Sequence, residues 1–171
     1  MVDYVAGTND NNDDLTATPT GSMMAGNGGD DVLRGGKGND ILIGGAGNDK
    51  LYGGAGADQF RFFGNQVDGA SDIDAIYDLN FAQGDKLVFG EYNGLFSTDA
   101  PGLDAYSNGN AATITSFAGL AAALEASEGR ITYGGNADLD LLVISFDTGN
   151  DSVQTIRISN GYAAFVAALE A

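Results

Sequence analysis

An apolar residue returns at every ninth position through the first third of the chain: Leu15, Met24, Leu33, Leu42, Leu51 and Phe60. Glycines and polar residues fill the space between. Written in rows of nine, the chain reads TNDNNDDLT (8–16), ATPTGSMMA (17–25), GNGGDDVLR (26–34), GGKGNDILI (35–43), GGAGNDKLY (44–52) and GGAGADQFR (53–61). The last four rows share one register without insertions. The first keeps its Asp and its apolar residue, and the second has Ser22 where the others have Asp. Positions 7 to 9 predict a short strand with the eighth side chain turned inward. One buried residue in nine cannot hold a domain together. The rows must therefore stack and share a thin apolar core, as solenoids do.

The polar columns of the same repeat carry the chemistry. Positions 1, 2 and 4 are mostly Gly, which lets the backbone enter left-handed conformations and turn tightly with bare carbonyls. Position 6 is Asp13, Asp31, Asp40, Asp49 and Asp58. Stacked rows would align these turns into columns of carbonyl and carboxylate oxygens. Such a hard-oxygen array suits Ca²⁺, which takes many oxygens at adaptable geometry, better than Mg²⁺, which keeps its waters. A flexible Gly/Asp linker would show no strict period.

Beyond residue 61 the patterning changes. FRFF (60–63) continues the last row as a strand. DIDAIYDLNF (72–81) alternates with Ile73, Ala75, Tyr77 and Leu79 on one face. LVF (87–89), RITY (130–133), LDLLVISF (139–146) and VQTIRI (153–158) read as strands, and DTGND (147–151) as a hairpin turn. A looser segment runs from about 90 to 112. TSFAGLAAALEAS (115–127) predicts a helix capped by Thr115 or Ser116, with Phe117, Leu120, Ala121 and Leu124 on one face. GYAAFVAALEA at the end fits a short helix or a strand.

Charge sharpens this reading. The 171 residues fit one domain or two small ones, and 7 Lys plus Arg against 24 Asp plus Glu give −17. A compact chain of that charge repels itself unless cations bind. Nucleic acid and anionic membranes are therefore poor partners, and no nucleic-acid binding or membrane insertion is expected. The 43% of apolar residues argues against an acidic disordered tail. Without Cys or His there are no disulfides, no Cys/His zinc sites and no His-based triads. No apolar run is long enough to insert in a membrane. MVDYVAGTND lacks the basic and apolar regions of a Sec signal.

The sequence holds no HExxH, GxSxG or phosphate loop. Asp72/Asp74 and Asp138/Asp140 are carboxylate pairs, the arrangement a retaining glycosidase needs. With no Trp to frame a sugar cleft, they read instead as solvated strand edges or further calcium ligands. Tyr92, Tyr106, Tyr133 and Tyr162 read mainly as core residues, with sugar stacking as the alternative. No enzymatic activity is expected.

The rows of residues 26–61 resemble the repeats of the RTX family, with the pattern G-G-x-G-x-D-x-U-x. The resemblance implies an all-β fold. Two nonapeptides make one turn of a parallel β-roll, and a calcium lies between loops 18 residues apart. Carbonyls of positions 1 and 3 from one loop and 2 and 4 from the other join both Asp carboxylates. The implied ligand groups are Gly26, Asn27, Gly28 and Gly29; Gly35, Gly36, Lys37 and Gly38; Gly44, Gly45, Ala46 and Gly47; and Gly53, Gly54 and Gly56. The implied Asp pairs are Asp13–Asp31, Asp31–Asp49 and Asp40–Asp58. A fourth pair, Ser22–Asp40, lacks one charge. About three to four ions are expected.

Residues 57–89 also resemble the module that follows such repeats in serralysin-type proteases, although Leu79-Asn80-Phe81 departs from the usual Asp-Phe pair. The expected layout is a tail (1–7), the β-roll (8–61) and a sandwich-like capping and secretion module (62–171) with one or two short helices. The resemblance implies a secreted protein leaving by a type I exporter that reads the C-terminus. A calcium-dependent adhesin or a module binding cell-surface polysaccharide is the alternative. With only Lys86, Arg130 and Arg157 basic beyond the repeats, direct binding of an anionic polysaccharide is expected to be weak, with bridging by calcium as the other route.

Overall fold

The computed structural model describes residues 3–9, 11–63, 72–90, 112–127, 129–147 and 153–171. Each row of nine contributes one strand, and successive strands go to opposite sheets. The strands are β1 (Asp3–Ala6), β2 (Asp14–Thr16), β3 (Ser22–Gly28), β4 (Val32–Lys37), β5 (Ile41–Ala46), β6 (Lys50–Ala55) and β7 (Gln59–Phe62). They pair in parallel with partners two rows away: Leu15 with Leu33 and Leu33 with Leu51 in one sheet, Met24 with Leu42 and Leu42 with Phe60 in the other. The eighth-position side chains therefore meet between the sheets. Met24, Leu33, Leu42, Leu51 and Phe60 are fully buried, and Leu15, on the edge strand, is half-buried.

The two sheets run on past the repeats. β8 (Asp72–Ile76) pairs in parallel with β6, placing Ile76 beside Leu51. β9 (Lys86–Phe89) pairs with β7, placing Leu87 beside Phe60. β10 (Ala112–Ile114) closes this sheet antiparallel to β9. α1 (Phe117–Ala126) follows, then β11 (Ile131–Asn136), β12 (Leu141–Asp147), β13 (Val153–Ser159) and α2 (Tyr162–Leu169). β13 enters the other sheet parallel to β8, and β12 and β11 extend it antiparallel. The sheets are β1-β3-β5-β7-β9-β10 and β11-β12-β13-β8-β6-β4-β2. Buried aromatics fill the wide end, where the Phe89 and Phe146 rings meet edge to face at 5.7 Å. The cap thus grows from the roll's own sheets, within the expected all-β architecture.

Several expectations change. Residues 3–6 are not a tail but a strand paired from Asp3–Ser22 to Ala6–Ala25. The Gly7 amide donates to the Ala25 carbonyl at 2.8 Å. Gly7, not Thr8, therefore opens the first row, and its turn holds one residue more than the turn from Gly26 to Asp31. On β8 the parity is reversed. Asp72, Asp74 and Ile76 point inward, while Ile73 and Ala75 face outward and Tyr77 is exposed. Pairing with Leu51 fixes Ile76 in the core, and a strand's period of two then sends its carboxylates inside.

The capped helix forms as expected, with Ser116 Oγ accepting from the Gly119 amide at 3.0 Å. Leu120 and Ala121 are buried, and Phe117 and Leu124 are half-buried against the core. The chain end is helix α2. Asp140 caps it, its carboxylate accepting from the Ala163 amide at 2.7 Å and its carbonyl from the Gly161 amide at 3.0 Å. Turn residues 148–151, the segment 91–111 and Tyr92 and Tyr106 lie outside the described residues.

A shared thin core makes each eighth-position residue costly to lose. Leu42→Ala should remove about 2–5 kcal/mol in urea unfolding at saturating calcium. Leu139→Ala, at 69% exposure, should stay within about 0.5 kcal/mol.

Candidate metal centre

The turns between strands carry two backbone demands. Positions 2 and 4 take left-handed φ, as at Gly36 (85°) and Gly38 (100°). Asn27 meets the same demand at 76°, which Asn tolerates better than most residues. Position 1 is Gly for a different reason. A Cβ on Gly35 would fall 2.7 Å from Asp40 Oδ2 and against the Gly53 carbonyl oxygen of the next coil; a Cβ on Gly53 would fall 2.6 Å from Asp58 Oδ2. Position 3 keeps ordinary φ and carries side chains at Lys37, Ala46 and Ala55; at Gly28 a Cβ would fall against the Asn9 carbonyl oxygen.

The position-6 carboxylates stand in two columns. In one, Asp31 Oδ1 accepts from the Asp13 amide (2.7 Å), Asp49 Oδ1 from the Asp31 amide (2.8 Å) and Asp74 Oδ1 from the Asp49 amide (3.0 Å). In the other, Asp40 Oδ1 accepts from the Ser22 amide (2.6 Å), Asp58 Oδ1 from the Asp40 amide (2.8 Å) and Asp85 Oδ1 from the Asp58 amide (3.0 Å). The first oxygen of each carboxylate is thus fixed by the coil before it.

The second oxygens differ along the columns. Oδ2 of Asp31, Asp40, Asp49 and Asp58 is buried with no hydrogen-bond donor. At the column ends the protein supplies donors. Asp13 Oδ2 accepts from the Thr8 amide (2.6 Å) and hydroxyl (2.9 Å), and Ser22 Oγ accepts from the Thr18 amide (3.0 Å). Asp74 Oδ2 accepts from Gln154 Nε2 (3.0 Å), and Asp85 Oδ2 from the Asn80 amide (2.8 Å).

These interior oxygens receive no donor and lie beside the first-position glycines, where a Cβ would meet both a carboxylate oxygen and a carbonyl oxygen of the next coil, as at Gly26, Asp31 and Gly44. Buried acceptors without donors are rare and call for an ion or water. The donor set is hard oxygen throughout, which fits calcium. Among the described residues no group of three or more His, Cys, Asp or Glu side chains gathers to hold a metal. Backbone carbonyls must then supply most of the ligands. Gly26, Asn27, Gly28 and Gly29, with their counterparts at 35–38, 44–47 and 53–56, form the turns that flank these carboxylates.

Electrostatics agree with that fit. Burial pushes Asp49 up to about 7, against the Asp31 amide hydrogen bond and with help from the charges of Asp31, Asp72 and Asp30. Burial likewise pushes Asp58 up to about 6. Asp31, Asp40 and Asp85 shift upward for the same first reason, and Asp74 shifts well upward.

Asp74 and Asp85 continue the columns although neither lies in a nonapeptide row. Their local sequences, Asp74-Ala-Ile-Tyr and Asp85-Lys-Leu-Val, repeat the Asp-x-apolar-x end of a row; that was the available signal. Asp78 also belongs to the last turn, its two oxygens accepting from the Gly53 (2.8 Å) and Gly54 (2.9 Å) amides. A side ladder at position 5 joins Asn12 to the Asp30 amide, Asp30 to the Asn48 amide and Asn39 to the Ala57 amide. Of the residues weighed for other chemistry, Asp140 caps α2, Asp138 is exposed and Tyr133 packs its ring on Phe165 at 5.2 Å.

Comparison with known proteins identifies the repeats. Residues 25–60 match the RTX calcium-binding nonapeptide repeat, in four copies. No curated protein matches the chain by sequence. Two solution structures from the mannuronan C5-epimerase of Azotobacter vinelandii are similar in fold. The AlgE6R3 subunit has a TM-score of 0.55 at 22% identity, covering 92% of this chain and 75% of its own. The AlgE6R2 subunit has a TM-score of 0.54 at 23% identity, covering 96% and 88%. The chain carries RTX calcium-binding repeats on a β-roll.

Raised carboxylates give the ion-free fold a defined pH dependence. Asp49, at 3.8 when unperturbed and about 7 in the fold, binds a proton in the folded chain over a range where the unfolded chain does not. Its contribution to stability is complete below the unfolded value and disappears as pH rises through the folded one. Metal-stripped protein should therefore hold more β-structure at pH 5 than at pH 7.5 by circular dichroism. The calcium midpoint should rise as pH falls, because protons compete for the same oxygens.

Proposed function

We propose that this chain is a non-enzymatic, calcium-switched folding module of a protein that works outside the cell. The supporting observation is the set of interior carboxylate oxygens, Oδ2 of Asp31, Asp40, Asp49 and Asp58, which are buried without donors. One ion for each would give about four, in line with the ligand demand of calcium. The pairs would be Asp31–Asp49, Asp40–Asp58, Asp49–Asp74 and Asp58–Asp85. The expected Asp13–Asp31 and Ser22–Asp40 pairs carry a donor-less oxygen only on their second member, as Asp49–Asp74 and Asp58–Asp85 carry one only on their first.

The switch follows from linkage. Where calcium is scarce, repulsion within a chain of −17 keeps it open, and an open chain suits a type I exporter. Outside the cell, calcium binds the folded form alone and draws folding forward. A second reading, a surface module that binds polysaccharide, draws support from neighbours that are subunits of a mannuronan C5-epimerase.

Two variants test the switch. Asp40→Ala removes a buried carboxylate from the column. Asp14→Ala removes one side of an ion pair with Arg34 in which Asp14 is 65% exposed, worth little in water. The calcium midpoint of folding should rise by at least about tenfold for Asp40→Ala, since even supporting contacts to a metal ligand are worth that much. It should barely move for Asp14→Ala. Equal midpoints would overturn the assignment.

A further inference from the structure

The outer face of the seven-stranded sheet departs from the acidity of the rest. Of the chain's 7 basic residues, Arg34, Lys50 and Arg157 project from it beside buried neighbours on the same strands. Arg34 is engaged. It pairs with Asp14 and lies over the Tyr52 ring at 5.6 Å, and Tyr52 stacks on Tyr77 with centroids 4.6 Å apart. Lys50 and Arg157 form no ion pair among the described residues, and both are exposed.

Register brings these two cations together. Lys50 and Arg157 are the Cα partners of Ala75 on either side. Strand spacing puts their Cα atoms about 10 Å apart. Ala75 is too small to fill the gap, and a cleft of about 210 Å³ opens there, lined by Lys50, Ala75, Tyr77, Arg157, Ile73 and Asn48 among others. Two long cationic side chains thus flank a shallow floor, with an aromatic ring of 37% exposure at its rim. Asp49 also lines the cleft.

We propose that this cleft binds an acidic polysaccharide, with Lys50 and Arg157 sharing the carboxylate of a uronic acid residue and Tyr77 meeting the sugar ring. The proposal deepens the polysaccharide-binding reading and is independent of the export route. Charge complementarity selects an anion. The overall charge of −17 opposes every polyanion, nucleic acid and polyuronate alike, so recognition rests on the one carboxylate at the cleft that reaches Lys50 and Arg157. Guanidinium and ammonium groups both make charge-assisted hydrogen bonds to carboxylates, and tyrosine pairs an apolar ring with a polar tip.

The test uses the full chain at saturating calcium, titrated by calorimetry with a short oligogalacturonate. A neutral oligogalactose and an oligothymidylate serve as comparison ligands. Lys50→Gln and Arg157→Gln are compared with Lys86→Gln, which removes the same charge from the other sheet. All variants are first checked for an unchanged calcium-loaded circular dichroism spectrum. The expected result is uronate binding weakened about tenfold or more by each cleft variant, unchanged by Lys86→Gln, and absent with the neutral sugar. Equal weakening by all three variants would overturn the cleft and leave only general charge. Stronger binding of oligothymidylate would overturn the glycan assignment. Silence toward every sugar would overturn the polysaccharide reading as well.

Discussion

Acceptors crowd against acceptors in the turns of this protein. Each interior carboxylate gives one oxygen to the backbone of the preceding coil and turns the other toward glycine carbonyls. Burial excludes water, so nothing in the protein neutralises that second oxygen. The rest of the structure depends on this constraint. It requires glycine at the first position of each turn, where a side chain would occupy the space between carboxylate and carbonyl. It sharpens the need of a chain of −17 for bound cations if it is to remain compact. It also lets the apolar core stay thin, with one residue per row and a cluster of phenylalanines at the wide end.

The ends of the columns make the same point in reverse. Thr8, Thr18, Gln154 and the Asn80 amide each supply donors where a column stops. Gln154 is instructive because it comes from β13, far along the chain from Asp74. The C-terminal strand therefore closes the metal-facing column directly as well as completing a sheet. The C-terminal region thus touches the same column of carboxylates that the repeats build. Undocking of β13 would leave Asp74 a buried carboxylate with one oxygen unsatisfied, a costly state.

Much of this was legible in the sequence. The period of nine revealed the roll, the eighth-position core and the Asp columns, because every coil meets the same physical demands. Helix α1 was visible through its Ser116 cap and apolar stripe. What escaped were the places where the spacing breaks. Gly7 was hidden by one extra turn residue, and only the pairing of β1 with β3 reveals it. Asp74 and Asp85 follow excursions longer than nine residues, so the period could not place them. The sequence leaves Asp74 open between a further calcium ligand and a solvated strand edge, and it does not single out Asp85, although its Asp-x-apolar-x signature survives. The inward face of β8 was misjudged because its apolar alternation pointed the other way; a buried Asp becomes plausible only once the column is seen. The cleft between Lys50 and Arg157 joins residues more than a hundred positions apart, which no local pattern encodes.

The central claim is that the interior carboxylates leave the fold incomplete at neutral pH until calcium is bound. Its most direct test is a far-UV circular dichroism titration of the chelated chain at pH 7.5, first with calcium and then with magnesium. The account predicts a cooperative transition from coil to β-structure with calcium in the range of about 10⁻⁴–10⁻³ M typical of extracellular sites, and none with magnesium at the same concentrations. A chain already fully β-structured in chelator, or one folded equally by magnesium, would contradict it.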